Sequence, residues 1–525
     1  MTKRNYATVN PCVMCQPMGS ALAFKGIENT IVLYHGSQGC STYMRLHLAH
    51  HFREPVDIAS SSLSEKGAVY GGRENLKKGL RNVINRYRPK VIGVATTCLA
   101  ETIGDDVPAI IREFKEEEGI GNDPEKDIII IPVSTPSYGE SHVSGYIKAL
   151  DAVVRKFTEK PEDPEKPKNP EDFEIVDYME NMEIMGYTEI LVKEKAKEST
   201  LEAKCPDTGE KPDTIEASNG KLNLIPVESF SPADVRELKE ILAETAGDYI
   251  FLPDISDTFD APLREKLPKI AAGGTPLSEI ADMPNSRASL GLGVVSTNLA
   301  VKYLEASHEV PGHNVPIPVG LLNTDLFFTE LVHILGCPIP EKYQKERGRL
   351  LDAMVDVHKY LYGVKAAVYG DPDTVFSLTT FMLELGMNPV LVATGSKSRD
   401  FETKIRQVFE EIRPELEPVV LDGIDFDTLN DAVSECIPEI LIGNSNGRYI
   451  AKARDIPLVR VGLPIHDRVG AQRILTVGYR GALELLDRIT NTILEATDTF
   501  TAPVQVETAA YASNGAEDDC IEESQ

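Results

Sequence analysis

Short apolar runs alternating with helical stretches constrain this chain more than any other feature of its sequence. Strand-like runs occur at Thr30–Tyr34, Val56–Ser60, Lys90–Ala95 and Asp127–Val133, with helical stretches at Ser41–His51, Arg73–Tyr87 and Ile103–Glu118. That rhythm is βαβ, which calls for a parallel sheet wrapped by helices, with ligands at the carboxyl ends of the strands. The pattern resumes at Lys221–Val227, and Ser231-Pro232 supplies an N-cap and a first-turn proline for the next helix. Strands at Asp248–Leu252 and Pro316–Val319 and a long amphipathic helix over Pro340–Tyr362 follow. A third series runs through Val364–Tyr369, Pro389–Ala393, Pro418–Leu421, Glu439–Ile442 and Ile456–Val461, and a helix over Gly481–Ala496 closes it.

At 525 residues the chain is too long for one core. The expected fold class is α/β, with three Rossmann-like domains over 1–158, 222–362 and 363–500. Residues 159–221 interrupt the alternation: they open on a run of Glu, Lys and Pro and stay charged. They are expected to form a solvated, peripheral insertion, because burying such charge would carry a large desolvation cost. The small, acidic tail over 501–525 is expected to be disordered.

No apolar run approaches the roughly 18 residues of a membrane span, and no apolar stretch follows the N-terminal Met-Thr-Lys-Arg-Asn-Tyr. A cytoplasmic protein is expected, with no membrane partner. The formal charge of −28 argues against nucleic acid as a partner, since a polyanion would be repelled; it suits a complex that docks another protein. Eight cysteines are too few for a disulfide scaffold in a chain of this length. No Walker loop and no Gly-x-Gly-x-x-Gly at a strand end is present, which disfavours nucleotide binding.

Three cysteines carry the chemistry. Cys15 lies in Cys-Gln-Pro-Met-Gly, Cys40 in His-Gly-Ser-Gln-Gly-Cys, and Cys98 in Ala-Thr-Thr-Cys-Leu-Ala-Glu. Cys40 and Cys98 each follow a strand-like run, so both should emerge where a strand ends. Soft thiolates gathered at the ends of parallel strands suit an iron–sulfur cluster, and glycine lets the backbone approach it. Cys12-Val-Met-Cys15 could be half a zinc site, a redox pair or a cluster corner; Cys15 is favoured as a ligand with Cys12 as its neighbour. His47, His50 and His51 share one helix and are expected to be solvated or at the core edge. Arg53-Glu54 suggests a surface ion pair. Asp352 and Asp356, one turn apart, suggest a solvated helix face, or a hard-cation site if a partner supplied further oxygens.

Taken together, these motifs resemble the β-type subunits of the nitrogenase component 1 family. The resemblance rests on Cys-Gln-Pro-Met-Gly (15–19), His-Gly-Ser-Gln-Gly-Cys (35–40), His-Phe-Arg-Glu-Pro (51–55), Thr-Thr-Cys-Leu-Ala-Glu-Thr-Ile-Gly-Asp-Asp (96–106), Thr-Pro-Ser-Tyr (135–138), Glu-Arg-Gly-Arg-Leu-Leu-Asp (346–352) and Val-Gly-Tyr-Arg-Gly (477–481). It implies three Rossmann-like domains and an iron–sulfur cluster, of four irons or of the eight-iron P-cluster type, at the interface with a homologous α-type subunit. Cys15, Cys40, Cys98 and Ser137 would be its ligands here. Arg53, Glu54, Asp352 and Asp356 match positions that hold a cation between two β-subunits. The implied partners are the α-type subunit, in a heterotetramer of two of each chain, and the ATP-dependent reductase iron protein. Two roles in nitrogen fixation fit. One is the scaffold on which an iron–molybdenum cofactor precursor matures; the other is the β chain of the catalytic molybdenum–iron protein. The full ligand set favours the catalytic branch, whereas Gly104–Pro108, Arg112–Phe114 and Pro464–Val469 are closer to scaffold subunits and tip the expectation that way.

Overall fold

The computed structural model describes residues 13–120, 128–138, 140–159 and 219–498. Most of the insertion, the tail, Cys12, Cys205 and Cys520 lie outside the described residues. Among the described residues there are three sheets, all parallel: four strands in the order β2-β1-β3-β4, four in the order β6-β5-β7-β8, and five in the order β11-β10-β9-β12-β13.

The first sheet comprises β1 (Thr30–His35), β2 (Ile58–Ser60), β3 (Val91–Thr96) and β4 (Ile129–Val133). Its chain order reverses at β1, which has β2 on one side and β3 on the other. Such a switch point opens a crevice beyond the carboxyl ends of the two strands, here at the last register pair, His35 opposite Thr96. Alternation sorts the side chains. Val32 and Tyr34 face the main core, whereas Ile31 and Leu33 join a separate core. That second core includes Leu76 and Leu80 from helix Arg73–Tyr87, and Ile110 and Phe114 from helix Val107–Glu118.

The helices of this region are α1 (Gln16–Lys25), α2 (Gln38–Phe52), α3 (Glu65–Tyr70), α4 (Arg73–Tyr87), α5 (Cys98–Thr102), α6 (Val107–Glu118) and α7 (His142–Thr158). All ten residues of α1 are buried, so it has no polar stripe. Met18, Leu22 and Phe24 are fully enclosed, and burial of each contributes roughly 1.5–3 kcal/mol. Helix α1 lies flush on α7 because two glycines meet the opposing backbone. A Cβ on Gly19 would sit 1.7 Å from the His142 carbonyl oxygen, and one on Gly145 2.0 Å from that of Gln16.

The middle sheet contains β5 (Leu222–Pro226), β6 (Tyr249–Phe251), β7 (Ala288–Leu292) and β8 (Gly312–Val315). The sequence pattern suggests a strand at Pro316–Val319, but the edge strand is Gly312–Val315 and the following segment is irregular. Pro316 and Pro318 have no N–H to give a ladder, whereas polar His313 and Asn314 are accommodated at an edge. The third sheet holds β9 (Lys365–Gly370), β10 (Asn388–Thr394), β11 (Val419–Leu421), β12 (Ile440–Gly443) and β13 (Leu458–Arg460). The C-terminal helix, Gly478–Asp498, packs back against the long helix Glu341–Leu361.

A buried carboxyl joins the last two sheets. Glu384 ends helix Pro372–Glu384 and accepts hydrogen bonds from the N–H groups of Leu321 (2.8 Å) and Leu322 (3.2 Å), which open helix Leu321–Leu335. Burial pushes this carboxyl from 4.5 up to about 8, against the downward pull of the two N–H groups. The folded state therefore binds a proton that the unfolded chain releases above 4.5. The stability it contributes is complete below that pH and lost as pH rises through about 8. Glu384→Gln removes the ionisation and keeps one acceptor oxygen. Its melting temperature is expected to fall less than the parent's between pH 6 and 9, which a pH series of thermal melts would check.

Candidate iron–sulfur site

The switch-point crevice gathers the three cysteines. After β1, the turn His35-Gly36-Ser37 leads into α2, whose first turn carries Cys40; after β3, Thr97 leads into α5, which starts at Cys98. The two turns press together at Gly36, where a Cβ would lie 1.8 Å from Thr97 Oγ1. Glycine is required by this approach rather than by its φ. Cys15 arrives from elsewhere, as the residue capping the N-terminus of α1.

Ser137 connects Cys15 to Cys98. Its hydroxyl accepts from the Gln16 N–H at 3.0 Å, and its own N–H donates to Cys98 Sγ at 3.3 Å. Burial pushes the Cys15 thiol up, a hydrogen bond from Ser137 pulls it down, and charge on Cys98 and Cys40 raises it further. The three sulfurs are thus close enough to sense one another. The Ser37 hydroxyl donates to Cys40 Sγ at 3.6 Å. Cys40 thus takes a side-chain donor and Cys98 a backbone one. Beneath them Tyr34 is fully buried, its hydroxyl donating to the Pro17 carbonyl at 2.7 Å. Burial first, then charge on Cys40 and Cys15, keeps this phenol neutral.

The donor set fits an iron–sulfur group: three thiols and a hydroxyl, beside backbone N–H groups. A second observation agrees. Among the described residues, Gln16 Oε1, Ser41 Oγ and Thr97 Oγ1 are buried without a hydrogen-bond partner, and each belongs to a residue adjacent to one of the cysteines. They are three of twelve such atoms among the described residues, and three beside three cysteines suit a site completed by something else.

His142 holds Cys15 in place from α7. Its N–H donates to the Met14 carbonyl at 2.9 Å, and its Nδ1 accepts from the Met14 N–H at 3.4 Å. That assigns the ring proton to Nε2, which donates to Asp371 at 3.1 Å. No local pattern marks this residue, because its partners are 128 and 229 positions away. His142→Ala is expected to weaken cluster retention by roughly 10–100-fold, the usual cost of losing an outer-shell partner, measured as iron loss to a chelator.

The expected cation residues are not assembled within one chain. Arg53 ends α2 in a left-handed conformation, φ 59°, and its guanidinium reaches the His466 and Arg468 carbonyls at 3.5 Å. It therefore engages the 464–469 loop instead of pairing with Glu54 as their adjacency suggested. Asp352 and Asp356 are exposed on helix Glu341–Leu361, and among the described residues they form no metal-sized group with Glu54. The α2 histidines separate. His51 is buried and accepts from the Ile465 N–H at 2.9 Å, while His47 stacks on His466 at 5.1 Å between centroids. Burial lowers His51 to about 3 and His466 to about 4, so both rings are neutral at neutral pH.

Three parallel sheets flanked by helices, with three thiols at the switch point of the first, define an α/β protein of the doubly wound class. The chain belongs to the nitrogenase component 1 type oxidoreductase family, whose model matches residues 15–494, and within it to the β-type subunits. It is 38% identical over 500 residues to the nitrogenase molybdenum–iron protein beta chain of Methanococcus maripaludis, covering 94% of this chain and 96% of that one. The corresponding chain of Clostridium pasteurianum is 34% identical over 495 residues (94% and 95% covered). That of Azotobacter vinelandii is 34% identical over 513 residues (96% and 87% covered). The solved structure of nitrogenase Cp1 at pH 6.5 superposes with a TM-score of 0.81 at 33% identity, over 96% of this chain and 97% of that one. The family binds iron–sulfur clusters, and a β-type subunit implies an α-type partner. Among the described residues no helix is long and apolar enough to cross a membrane.

Proposed function

We propose that this chain supplies the β half of an interfacial iron–sulfur site and relays electrons from a reductase iron protein to its α-type partner. The complex would contain two chains of each type. The observation that supports this is the convergence of Cys15, Cys40, Cys98 and Ser137, with hydrogen-bond donors on the Cys40 and Cys98 sulfurs. When bound, the cluster supplies one-electron storage. The chain's own residues hold the sulfurs, donate hydrogen bonds to them from Ser37 and Ser137, and set a neutral phenol, Tyr34, beneath them. Arg53, Glu54, Asp352 and Asp356 are proposed to hold a cation where two β-type subunits meet, each chain supplying part of the set.

The setting proposed for this relay is a catalytic dinitrogenase, the α-subunit carrying the iron–molybdenum cofactor. Its support is the hydroxyl donor of Ser137 beside the thiols, which suits a P-cluster, and the name molybdenum–iron protein beta chain carried by the relatives. The second setting is the scaffold on which a cofactor precursor receives molybdenum and homocitrate. The Pro464–Val469 stretch supports it, with His466 stacked on the helix that carries Cys40. Iron and molybdenum counts on the anaerobically purified complex separate the two. Eight interface irons per αβ pair are expected for the dinitrogenase, and four would move the assignment to the scaffold. No iron would sink both.

A further inference from the structure

Away from the cysteines, three metal-ligating side chains of the described residues converge on one point of the middle sheet's edge. His313 lies on β8, the edge strand. Glu330 and His333 lie on helix Leu321–Leu335, which follows β8, and their spacing of three puts both on one helix face. His313 Nδ1 is 2.6 Å from Glu330 Oε1, and His333 Nδ1 is 3.5 Å from the same oxygen. All three ligand atoms lie within 4.8 Å of one another, and the two rings meet edge to face at 6.0 Å.

An ordinary surface ion pair needs one cationic partner; here two imidazoles are drawn to a single carboxylate oxygen. The side chains of His313 and Glu330 are 25% and 27% exposed, whereas that of His333 is 73% exposed. Two ligands are therefore held by packing, and the third is free to swing.

We propose that His313, Glu330 and His333 bind a borderline divalent transition ion of the zinc–iron(II) class, with water completing its coordination. Two imidazoles and one carboxylate with open positions form a donor set that such ions use. Calcium and magnesium, which take oxygen ligands, are poorly matched to it. Ligand distances of about 2.0–2.2 Å require the three atoms to draw together, and rotation of His333 provides the movement. The bound ion would fasten the edge strand β8 to the helix behind it. Because the unfolded chain lacks the site, binding raises the melting temperature.

The test is a Zn2+ titration of the chelator-washed complex, in competition with a chromogenic chelator, beside His333→Ala and Glu330→Gln. The parent is expected to bind one more zinc ion per β chain than either variant. Its melting temperature should rise with zinc while theirs do not. His333 is mostly exposed, so His333→Ala should keep the fold, which its metal-free melt checks. Equal zinc stoichiometry and equal thermal response in the parent and both variants would overturn the proposal.

Discussion

Cys98→Ala, in the complex with the α-type partner, is expected to strip most of the interface iron and reduce reductase-driven electron transfer by more than about 100-fold. The scale follows from coordination: an outer-shell partner is worth roughly 10–100-fold in metal affinity, and Cys98 is a proposed direct ligand. Its sulfur also accepts the Ser137 N–H, so its loss loosens the segment that steadies Cys15. Cys98→Ser keeps an oxygen donor of similar size and should retain part of the iron. A thiol with only a packing role would give the opposite pattern, with iron unchanged in both variants. Iron content and turnover of the two purified complexes distinguish these outcomes.

Gly145→Ala is expected to cost about 3 kcal/mol or more and to lower cluster occupancy as well. Overpacking a core costs typically 1–3 kcal/mol when side chains can rotate away. Here the new methyl would meet the Gln16 carbonyl oxygen at 2.0 Å and its carbon at 2.8 Å, and backbone cannot rotate aside. Helix α1 would have to lift off α7, carrying Cys15 at its N-terminus. Gly19→Ala, aimed at the His142 carbonyl from the other helix, should behave alike. Thermal melts and iron assays read the two consequences separately. Unchanged values in both would show that the α1–α7 contact does not position Cys15.

Much of this arrangement is legible in the sequence, and the exceptions have physical causes. Strands β1 and β3 stand out because burial on both faces makes them continuous apolar runs, and the turns after them carry glycine and cysteine. Helix α1 leaves no such trace. Every residue in it is buried, so no polar stripe sets a period of 3.6, and Pro17 and Gly19 resemble loop residues. Strand β7 is equally hidden, since Ala288, Ser289 and Gly291 lack the β-branched bulk that marks a strand. Cys15, Cys40 and Cys98 were recognisable by their motifs, but the tie from Met14 through His142 to Asp371 joins three distant segments and has no local signature. The His313–Glu330–His333 cluster escapes for a similar reason, because one ligand comes from a strand whose polar residues resemble loop.

The central claim, that Cys15, Cys40 and Cys98 hold the β half of an interfacial iron–sulfur cluster, is tested most directly by iron quantitation with EPR on the anaerobically purified αβ complex. The parent is to be compared with the variant in which all three cysteines are alanine. If the three cysteines hold the cluster, the parent shows a cluster signal and stoichiometric interface iron, and both are lost in the triple variant. Interface iron retained by the triple variant, or none in the parent, would contradict it.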